Sequence, residues 1–418
     1  MNILLKSAKI VSPENTALHL KKRDILIRKG IIEKIAASIT DAPTNIKVFE
    51  HENLHVSIGW LDSSVSFGEP GHEERETIEK GLHVAAKSGF TDIVLNPNTT
   101  PVPDTSSDIV FLIERAKIGG SRLHPLGSLS KDANGIDLAE LFDMHNAGAV
   151  GFYDFKHQIT NPNLLKIALL YAQSFDGLVL SFPEDIQIKG KGVVNEGEMS
   201  TSLGLKGIPD LAEELQVARD LFILEYTGGK LHIPTISTAN SVKLIAAAKK
   251  KGLDVSCSVA IHNLLFTDES LTDFDTTFKV SPPLRKKEDN KVLIKGLKDG
   301  TIDFVTSDHL PLDIEEKRLE FDNALSGTIG MESAFGSLSK IFPLEETIGL
   351  LTKGWERFSI QKPTIEVGES ACLTLFIPDQ DWTFTKDDIM STSKNSMFLE
   401  TPLKGRVLGT ISNNTINL

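Results

Sequence analysis

The 418-residue chain has only two cysteines, Cys257 and Cys372. Two isolated cysteines cannot build a disulfide framework, and these two lack the Cys-x-x-Cys spacing of a zinc or redox motif. The cysteine content therefore argues against a small, disulfide-stabilised secreted fold and favours a reducing compartment. We expect a cytoplasmic protein.

The sequence also lacks long apolar runs and an excess of basic residues. No stretch approaches the roughly 18–20 apolar residues of a transmembrane helix, and the apolar run at the start is too short for a signal peptide. Asp and Glu number 57 against 44 Lys and Arg, which gives a formal net charge of −13. This charge argues against nucleic acid or an anionic membrane as the main partner.

What the sequence does contain is a regular alternation of strand and helix patterns. Eight short, largely apolar segments predict strands, and helical patterns fall between most of them, notably at residues 209–226. The segments are residues 56–61, 91–95, 123–128, 149–153, 177–182, 231–236, 253–259 and 302–306. Such alternation implies parallel βαβ units, and eight units predict an α/β fold closed as a (β/α)8 TIM barrel. An open doubly wound sheet has the same periodicity and remains the alternative.

The two ends of the chain have a different pattern. Residues 1–55 contain short alternating strands, and strand patterns return at residues 371–377 and 405–411. We expect residues 1–55 and 361–418 to form one discontinuous β-sandwich domain beside a barrel of residues 56–360.

The first predicted barrel strand ends in a polar motif at residues 60–71, which reads Trp-Leu-Asp-Ser-Ser-Val-Ser-Phe-Gly-Glu-Pro-Gly. It resembles the Asp-x-His-x-His-x-Arg-Glu-Pro-Gly motif of the dihydroorotase family, within the cyclic amidohydrolases. Asp62 and the final Glu-Pro-Gly match, whereas Ser64 and Ser66 replace the histidines and Gly68 replaces the arginine. Residues two apart on a strand face the same side, so a His-x-His pair can bind one zinc. Serine is a poor zinc ligand by comparison.

Five further segments resemble family motifs, in the family order, so that the resemblance extends over nearly the whole chain. They are residues 96–101, 197–209, 278–285, 299–311 and 367–376. The resemblance implies a barrel in which zinc-activated hydroxide hydrolyses or forms a cyclic amide. It also implies that an aspartate after the eighth strand moves protons between hydroxide and the leaving nitrogen.

The resemblance assigns metal ligands to six positions, of which only Asp154 and Asp308 keep a donor. Histidine is replaced at the other four positions, which are Ser64, Ser66, Ser181 and Thr235. We therefore expect no zinc and no other cofactor, with Asp308 a vestigial catalytic residue. On the substrate side Asn98 is retained, whereas the family's remaining substrate contacts are replaced at Gly68, Ser281 and Leu312.

Two alternatives stay open. Asp154, Asp308 and one of the histidines His157, His262 or His309 would form a rearranged metal site in an active cyclic amidohydrolase. His232 is a weaker candidate because it lies three positions before Thr235 and faces the other side of the strand. Alternatively, the emptied pocket would bind a small uncharged ligand.

The role that the resemblance favours is non-catalytic. Inactive members of the family assemble with aspartate transcarbamoylase, so we expect a structural or regulatory partner of that enzyme in pyrimidine biosynthesis, and a homo-oligomer.

Three local predictions complete this reading of the sequence. Residues 73–76 are expected in the first turn of a helix, where acidic residues suit the helix dipole. Arg285 and the lysines after it are expected in a solvated loop. Restoring the four histidines together with Gly68→Arg is expected to restore metal binding before catalytic rate.

Overall fold

The computed structural model describes residues 2–41, 43, 45–271 and 274–418. The strands in this part of the chain are β1 (Asn2–Ile10), β2 (Lys22–Arg28), β3 (Ile31–Ala36), β4 (Lys47–Phe49), β5 (His55–Ile58), β6 (Trp60–Val65), β7 (Phe90–Leu95), β8 (Arg122–Pro125), β9 (Leu178–Leu180), β10 (Val194–Asn195), β11 (Gly207–Ile208), β12 (Lys230–Ile233), β13 (Val255–Ala260), β14 (Phe304–Thr306), β15 (Leu373–Thr383), β16 (Pro402–Ser412) and β17 (Thr415–Asn417). The α-helices are α1 (Ile78–Lys87), α2 (Ser106–Arg115), α3 (Leu141–Ala147), α4 (Pro162–Ala172), α5 (Ile186–Lys189), α6 (Glu198–Leu203), α7 (Asp210–Thr227), α8 (Ala239–Lys250), α9 (His262–Leu265), α10 (Lys287–Asp299), α11 (Ile314–Lys317), α12 (Met331–Ile341) and α13 (Leu344–Leu351).

Parallel strands close into a barrel. Strands β6, β7 and β8 pair in one group, and β9, β12, β13 and β14 pair in another. Phe152 joins the groups, because it bridges Gly127 on one side and Val179 on the other. The circle is completed where Val65 bridges His309. The predicted (β/α)8 barrel is confirmed, and its closure excludes the open doubly wound sheet. The predicted fourth strand, residues 149–153, is present only as the Phe152 bridge.

Helix α7 follows its predicted bounds closely. Pro209 precedes the first helical residue, where its fixed φ suits helix initiation and its missing N–H costs nothing. The helix ends at Thr227 because Gly228 adopts φ +69°. Neither α7 nor any other helix among the described residues is long and apolar enough to cross a membrane.

Helix α1 begins later than predicted. Thr77 is extended, and its side chain accepts a hydrogen bond from the backbone N–H of Lys80, so the first helical residue is Ile78. The preceding segment closes on itself through a hydrogen bond from the N–H of Gly68 to the carbonyl of Glu76. The prediction that residues 73–76 form the first helical turn is therefore wrong, because a side-chain cap and a loop contact compete for this segment.

Strands from both ends of the chain share one eight-stranded sheet. Its order is β17-β16-β15-β5-β1-β2-β3, and β4 pairs with β1. An aromatic cluster lies between this sheet and the barrel, because Trp60 of β6 packs 5.1 Å from Phe335 of α12 and 5.8 Å from Phe376 of β15. The division of the chain into domains at residues 56 and 360 stays a prediction.

Candidate functional site at the barrel mouth

A buried ion pair occupies the end of the last barrel strand. Asp308 follows β14 and is 3% exposed. Its Oδ2 lies 2.6 Å from Nζ of Lys156, which also donates to the carbonyl of Ser281 at 2.7 Å. Burial raises the pKa of Asp308, although Lys156 and the Ser64 hydroxyl act in the opposite direction. The cation beside the retained aspartate is therefore a side chain of the protein itself.

Ser64 and Ser66, at the end of the first barrel strand β6, face the same site. The hydroxyl of Ser64 donates to Oδ1 of Asp308 at 3.3 Å. The amide of Asn96 donates to the hydroxyls of Ser64 and Ser66, each at 3.1 Å. The structure thus brings Ser64, Ser66 and Asp308 into one hydrogen-bonded cluster, with Asn96 and Lys156 as additional members.

Asp154 has a different set of partners. Its Oδ1 accepts hydrogen bonds from the Ser128 hydroxyl at 2.8 Å and from the N–H groups of Leu129 and Ser130 at 2.9 Å. Its Oδ2 accepts from the Ser130 hydroxyl at 2.5 Å. Four donors from the loop after β8 therefore bind this carboxylate, and Asp154 in turn holds that loop in place.

The remaining two predicted positions have hydrogen-bond partners other than the ion pair. The hydroxyl of Ser181 donates to Asp220 of α7 at 2.6 Å. Thr235 has φ +49°, and its N–H donates to the Ser258 hydroxyl at 3.2 Å. The Thr235 hydroxyl is buried without a hydrogen-bond partner among the described residues.

These residues do not fit the zinc centre that the family resemblance implies. The two carboxylates at ligand positions, Asp154 and Asp308, are committed to hydroxyl, amide and ammonium donors. Among the described residues no group of three or more His, Cys, Asp or Glu side chains is placed to hold a metal. A catalytic zinc normally has three protein ligands.

Among the described residues, none of the candidate histidines joins Asp154 and Asp308 in a group placed to hold a metal. Burial lowers the pKa of His262 to about 3, with a further contribution from Lys156, and both ring nitrogens lack hydrogen-bond partners in the described part of the chain. Burial lowers the pKa of His309 to about 4, and its Nδ1 accepts from the N–H of Gly330 at 3.3 Å. His232 lies between the hydroxyls of Ser256 and Ser258 and stacks on Phe304, and His157 is exposed.

The predicted substrate contacts are incomplete. Asn98 is half-buried, and its Oδ1 has no hydrogen-bond partner among the described residues. At Gly68 an added Cβ would lie 1.7 Å from the carbonyl oxygen of His72. The expectation that Gly68→Arg helps to restore the site is therefore wrong for this loop, because the backbone of residues 68–72 fills the position of a side chain.

Arg285 contradicts its predicted solvent exposure. It is 2% exposed, its Nε donates to the Ser237 hydroxyl at 3.0 Å, and its Nη1 donates to Asn195 and Asp210, each at 3.0 Å. The guanidinium thus ties the loop before α7 to the barrel. Lysines 286 and 287 are exposed as expected.

The main residue that sequence reasoning missed is Lys156. It lies two positions after Asp154 but 152 positions before its partner Asp308. A lone lysine in a loop carries no periodic signal, and only the closed barrel brings it to the last strand.

Solved structures with the same fold include an L-hydantoinase (dihydropyrimidinase) from Arthrobacter aurescens. The TM-score is 0.84 at 23% sequence identity, covering 100% of this chain and 97% of the other. A dihydropyrimidinase from Brevibacillus agri NCHU1002 gives a TM-score of 0.82 at 21% identity, covering 99% and 94%. The fold is that of the TIM-barrel amidohydrolases.

Sequence comparison identifies the family within this class. A sequence model described as Dihydro-orotase-like matches residues 55–241. A dihydroorotase of Syntrophus aciditrophicus is 36% identical over 98% of both chains. A dihydroorotase of Pelotomaculum thermopropionicum is 37% identical over 98% of this chain and 95% of its own length. The chain belongs to the dihydroorotase family.

Proposed function

We propose that this member of the dihydroorotase family has no catalytic zinc centre and does not hydrolyse dihydroorotate. Its role is that of a structural or regulatory partner of aspartate transcarbamoylase in pyrimidine biosynthesis. The observation that carries the loss of catalysis is the Lys156–Asp308 ion pair, in which an ammonium lies 2.6 Å from the carboxylate that the family uses for proton transfer.

Under this proposal three chemical requirements of the reaction are unmet. Zinc lowers the pKa of bound water to about 7, whereas the pKa of bulk water is about 15.7, so a chain without zinc lacks the activated nucleophile. Asp308, while it is ion-paired with Lys156, also does not accept a proton from the nucleophile and pass it to the leaving nitrogen. Gly68 also replaces the arginine that would grip a substrate carboxylate by charge-assisted hydrogen bonds.

The absence of zinc and of catalysis is tested by elemental analysis together with a dihydroorotate hydrolysis assay, on protein purified without chelator. We expect far less than one zinc per chain, no turnover above background, and no change of rate in Asp308→Ala. About one tightly held zinc per chain, with turnover that Asp308→Ala abolishes, would instead support the active amidohydrolase with a rearranged site.

The proposal that aspartate transcarbamoylase is the partner rests on the resemblance to inactive members of the family. Its test is co-sedimentation of the purified chain with the aspartate transcarbamoylase of the same organism. We expect a stable complex that also forms with the Asp308→Ala variant, because assembly does not need the barrel-mouth carboxylate. Independent sedimentation of the two proteins at micromolar concentration would contradict the partnership.

A second candidate function, the binding of a small polar ligand, is favoured by unsatisfied buried groups. Both nitrogens of His262, Oδ1 of Asn98 and the hydroxyl of Thr235 are buried without partners among the described residues. Buried polar atoms are normally paired with protein, water or ligand groups. A thermal-shift series with uncharged pyrimidines such as uracil and dihydrouracil, beside the anions dihydroorotate and orotate, tests this candidate. A saturable shift with an uncharged compound that His262→Phe removes would support it.

A further inference from the structure

A cavity of about 560 Å³ lies at the other end of the barrel from the mouth. On one side it is lined by Lys230, Val255 and Phe304, which are the first residues of β12, β13 and β14. Residues 352–357, directly after α13, line the other side. We call it the lower cavity. Its volume is typical of small-molecule sites, which measure about 300–1,000 Å³. Because barrel chemistry takes place where the strands end, this cavity is separate from the candidate site described above.

Three lysines that line the lower cavity have ammonium groups that a ligand can reach. Lys353 is exposed and has no ion-pair or hydrogen-bond partner in the described part of the chain. Lys230 and Lys362 pair with Asp176 and Glu14, which are each 76% exposed and do not line the cavity. Exposed ion pairs of this kind contribute little to stability, so a ligand can replace either acid at small cost.

The acidic side chains that line the lower cavity are mostly neutralised within the protein. Asp254 pairs with Arg357, and Asp303 accepts from Nζ of Lys249 at 2.6 Å. Glu356 is the one lining carboxylate without an ion-pair partner among the described residues. Three lysine ammonium groups therefore face one free carboxylate, which leaves two positive charges in a chain whose formal net charge is −13. This local charge favours an anionic ligand.

Two buried donors on the same side of the cavity are unsatisfied. Trp355 is 1% exposed, and its indole N–H has no hydrogen-bond partner among the described residues. The Nε–H of Arg357 is likewise buried without a partner in that part of the chain. Buried polar atoms are normally paired with protein, water or ligand groups. Both groups can only donate, so the partners that they lack are acceptors such as the oxygens of an anion.

We propose that the lower cavity binds the phosphate monoester of a small metabolite. A phosphate monoester carries about −1.5 to −2 charges at pH 7 and three strong acceptor oxygens, which matches the excess of two positive charges and the unsatisfied donors. Lysine serves as a point-charge ligand of phosphate. Val255, Phe304 and the indole ring of Trp355 offer apolar surface to the organic part of the ligand. A carboxylate, with one charge and two oxygens, satisfies fewer of these groups.

The test is isothermal titration calorimetry of the full chain with ribose 5-phosphate, AMP and UMP. We expect at least one of these esters to bind saturably at one site per chain, inorganic phosphate to bind more weakly, and ribose not to bind. Because Trp355 lines the cavity, the same ester should change the tryptophan fluorescence of wild type. That change should be absent in Trp355→Phe.

Charge removal locates the site. Lys353→Gln/Lys362→Gln should weaken binding of the ester by about tenfold or more, the loss expected when charge-assisted hydrogen bonds are removed. The matched control, Lys286→Gln/Lys287→Gln, removes two exposed lysines near the barrel mouth and should leave the affinity unchanged. Lys353→Gln alone, at an exposed side chain, guards against misfolding and should show part of the loss with an unchanged far-UV circular dichroism spectrum.

Three results would overturn the proposal. They are no saturable binding of any of the three esters, inorganic phosphate binding as tightly as the esters, or equal affinities of wild type and folded Lys353→Gln/Lys362→Gln. None of these results bears on the proposed function, because zinc content and dihydroorotate hydrolysis report on the barrel mouth. Conversely, an active zinc centre would refute the proposed function and leave this site intact.

Discussion

At the scale of single residues, the dominant feature of the barrel mouth is the ion pair between Lys156 and Asp308. Lys156 has 13% of its side chain exposed and Asp308 has 3%, so the pair is shielded from bulk water. A buried pair of this kind contributes little net stability compared with an apolar pair of similar volume. Removal of one partner is costly, because the other charge then stays buried and uncompensated.

The ion pair yields a prediction about coupling. Lys156→Met should lower the free energy of unfolding at pH 7 by about 3–5 kcal/mol, because it leaves Asp308 buried without its cation. The double variant Lys156→Met/Asp308→Asn should recover most of this loss. Urea denaturation of the wild type, both single variants and the double variant gives the coupling energy. Lys131→Met, at an exposed position, is the control, and additive effects at positions 156 and 308 would contradict the ion pair.

Glu76 gives a pH-dependent prediction. It is fully buried and accepts hydrogen bonds from the N–H and the hydroxyl of Thr392, and burial raises its pKa from 4.5 to about 7. Between these pH values the folded state binds the proton and the unfolded state releases it, so this group's stabilisation is full below about pH 4.5 and is lost as pH rises to 7.

Glu76→Gln should remove this contribution, because an uncharged amide can bond the same N–H and hydroxyl. The stability difference between Glu76→Gln and wild type should therefore grow in favour of the variant from pH 4.5 to 7 and then level off. Urea midpoints across this range measure it. Glu74→Gln, at a side chain that is 57% exposed, is the control. A difference that is constant with pH would rule out the buried titration.

Three of the six predicted ligand positions meet in one hydrogen-bonded cluster, and the sequence does not predict the partners of the other three. Ser64, Ser66 and Asp308 converge because residues at the ends of parallel strands meet at one mouth, which strand periodicity predicts. Asp154 was assigned to the same mouth, yet local N–H and hydroxyl donors hold it against the loop after β8. Side-chain rotamers and loop contacts of this kind follow no sequence period, and for the same reason the burial of Arg285 was missed.

At the scale of structural elements, the loop of residues 68–76 folds closely around Gly68. The N–H of His72 donates to the carbonyl of Gly68 at 2.8 Å, and this turn brings the His72 carbonyl against the α-carbon of Gly68. The position that holds arginine in the family thus serves a tight backbone contact in this chain.

Gly68→Ala should therefore lower the free energy of unfolding by at least about 1–3 kcal/mol, as in other overpacked sites. The matched control is Gly349→Ala in α13, where an added Cβ meets nothing within 4 Å. That variant should be stabilised by about 0.5–1 kcal/mol, because alanine loses less backbone entropy than glycine in a helix. Thermal unfolding of both variants measures the difference in stability. Equal shifts of their melting temperatures would show that the loop rearranges to accommodate the added Cβ.

Element predictions succeeded for the long helix α7. It spans 18 residues, and its start and end each lie one position from the predicted bounds. The start of α1 was missed because acidic residues suit both a first helical turn and a capped loop. The side chain of Thr77 selects the capped loop, because it accepts a hydrogen bond from the N–H of Lys80. The spacing of apolar residues does not predict this hydrogen bond.

At the scale of the whole molecule, the barrel and the terminal sheet share the cluster of Trp60, Phe335 and Phe376. Because each of these residues is at most 2% exposed, separating the two parts would expose large aromatic surfaces on both. We expect the chain to unfold in one cooperative transition, with coincident far-UV circular dichroism and tryptophan fluorescence curves.

Phe376→Ala should lower the free energy of unfolding by about 3–5 kcal/mol without splitting that transition. Trp382→Phe removes the tryptophan of the terminal sheet, so that the remaining fluorescence reports on Trp60 and Trp355. Two separate transitions, with the terminal sheet melting alone, would show that the aromatic cluster does not couple them. The overall fold itself was predictable, because eight repeats of one strand and helix pattern leave few ways to close a sheet.

The Lys156–Asp308 pair also limits which substitutions the barrel mouth can accept. A histidine introduced at position 64 would lie beside an aspartate that is already paired with the ammonium of Lys156. Losing the lysine first costs about 3–5 kcal/mol, a large part of the 5–15 kcal/mol that typically separates folded from unfolded protein. Any redesign of the barrel mouth therefore has to supply Asp308 with a replacement cation in the same step that removes Lys156.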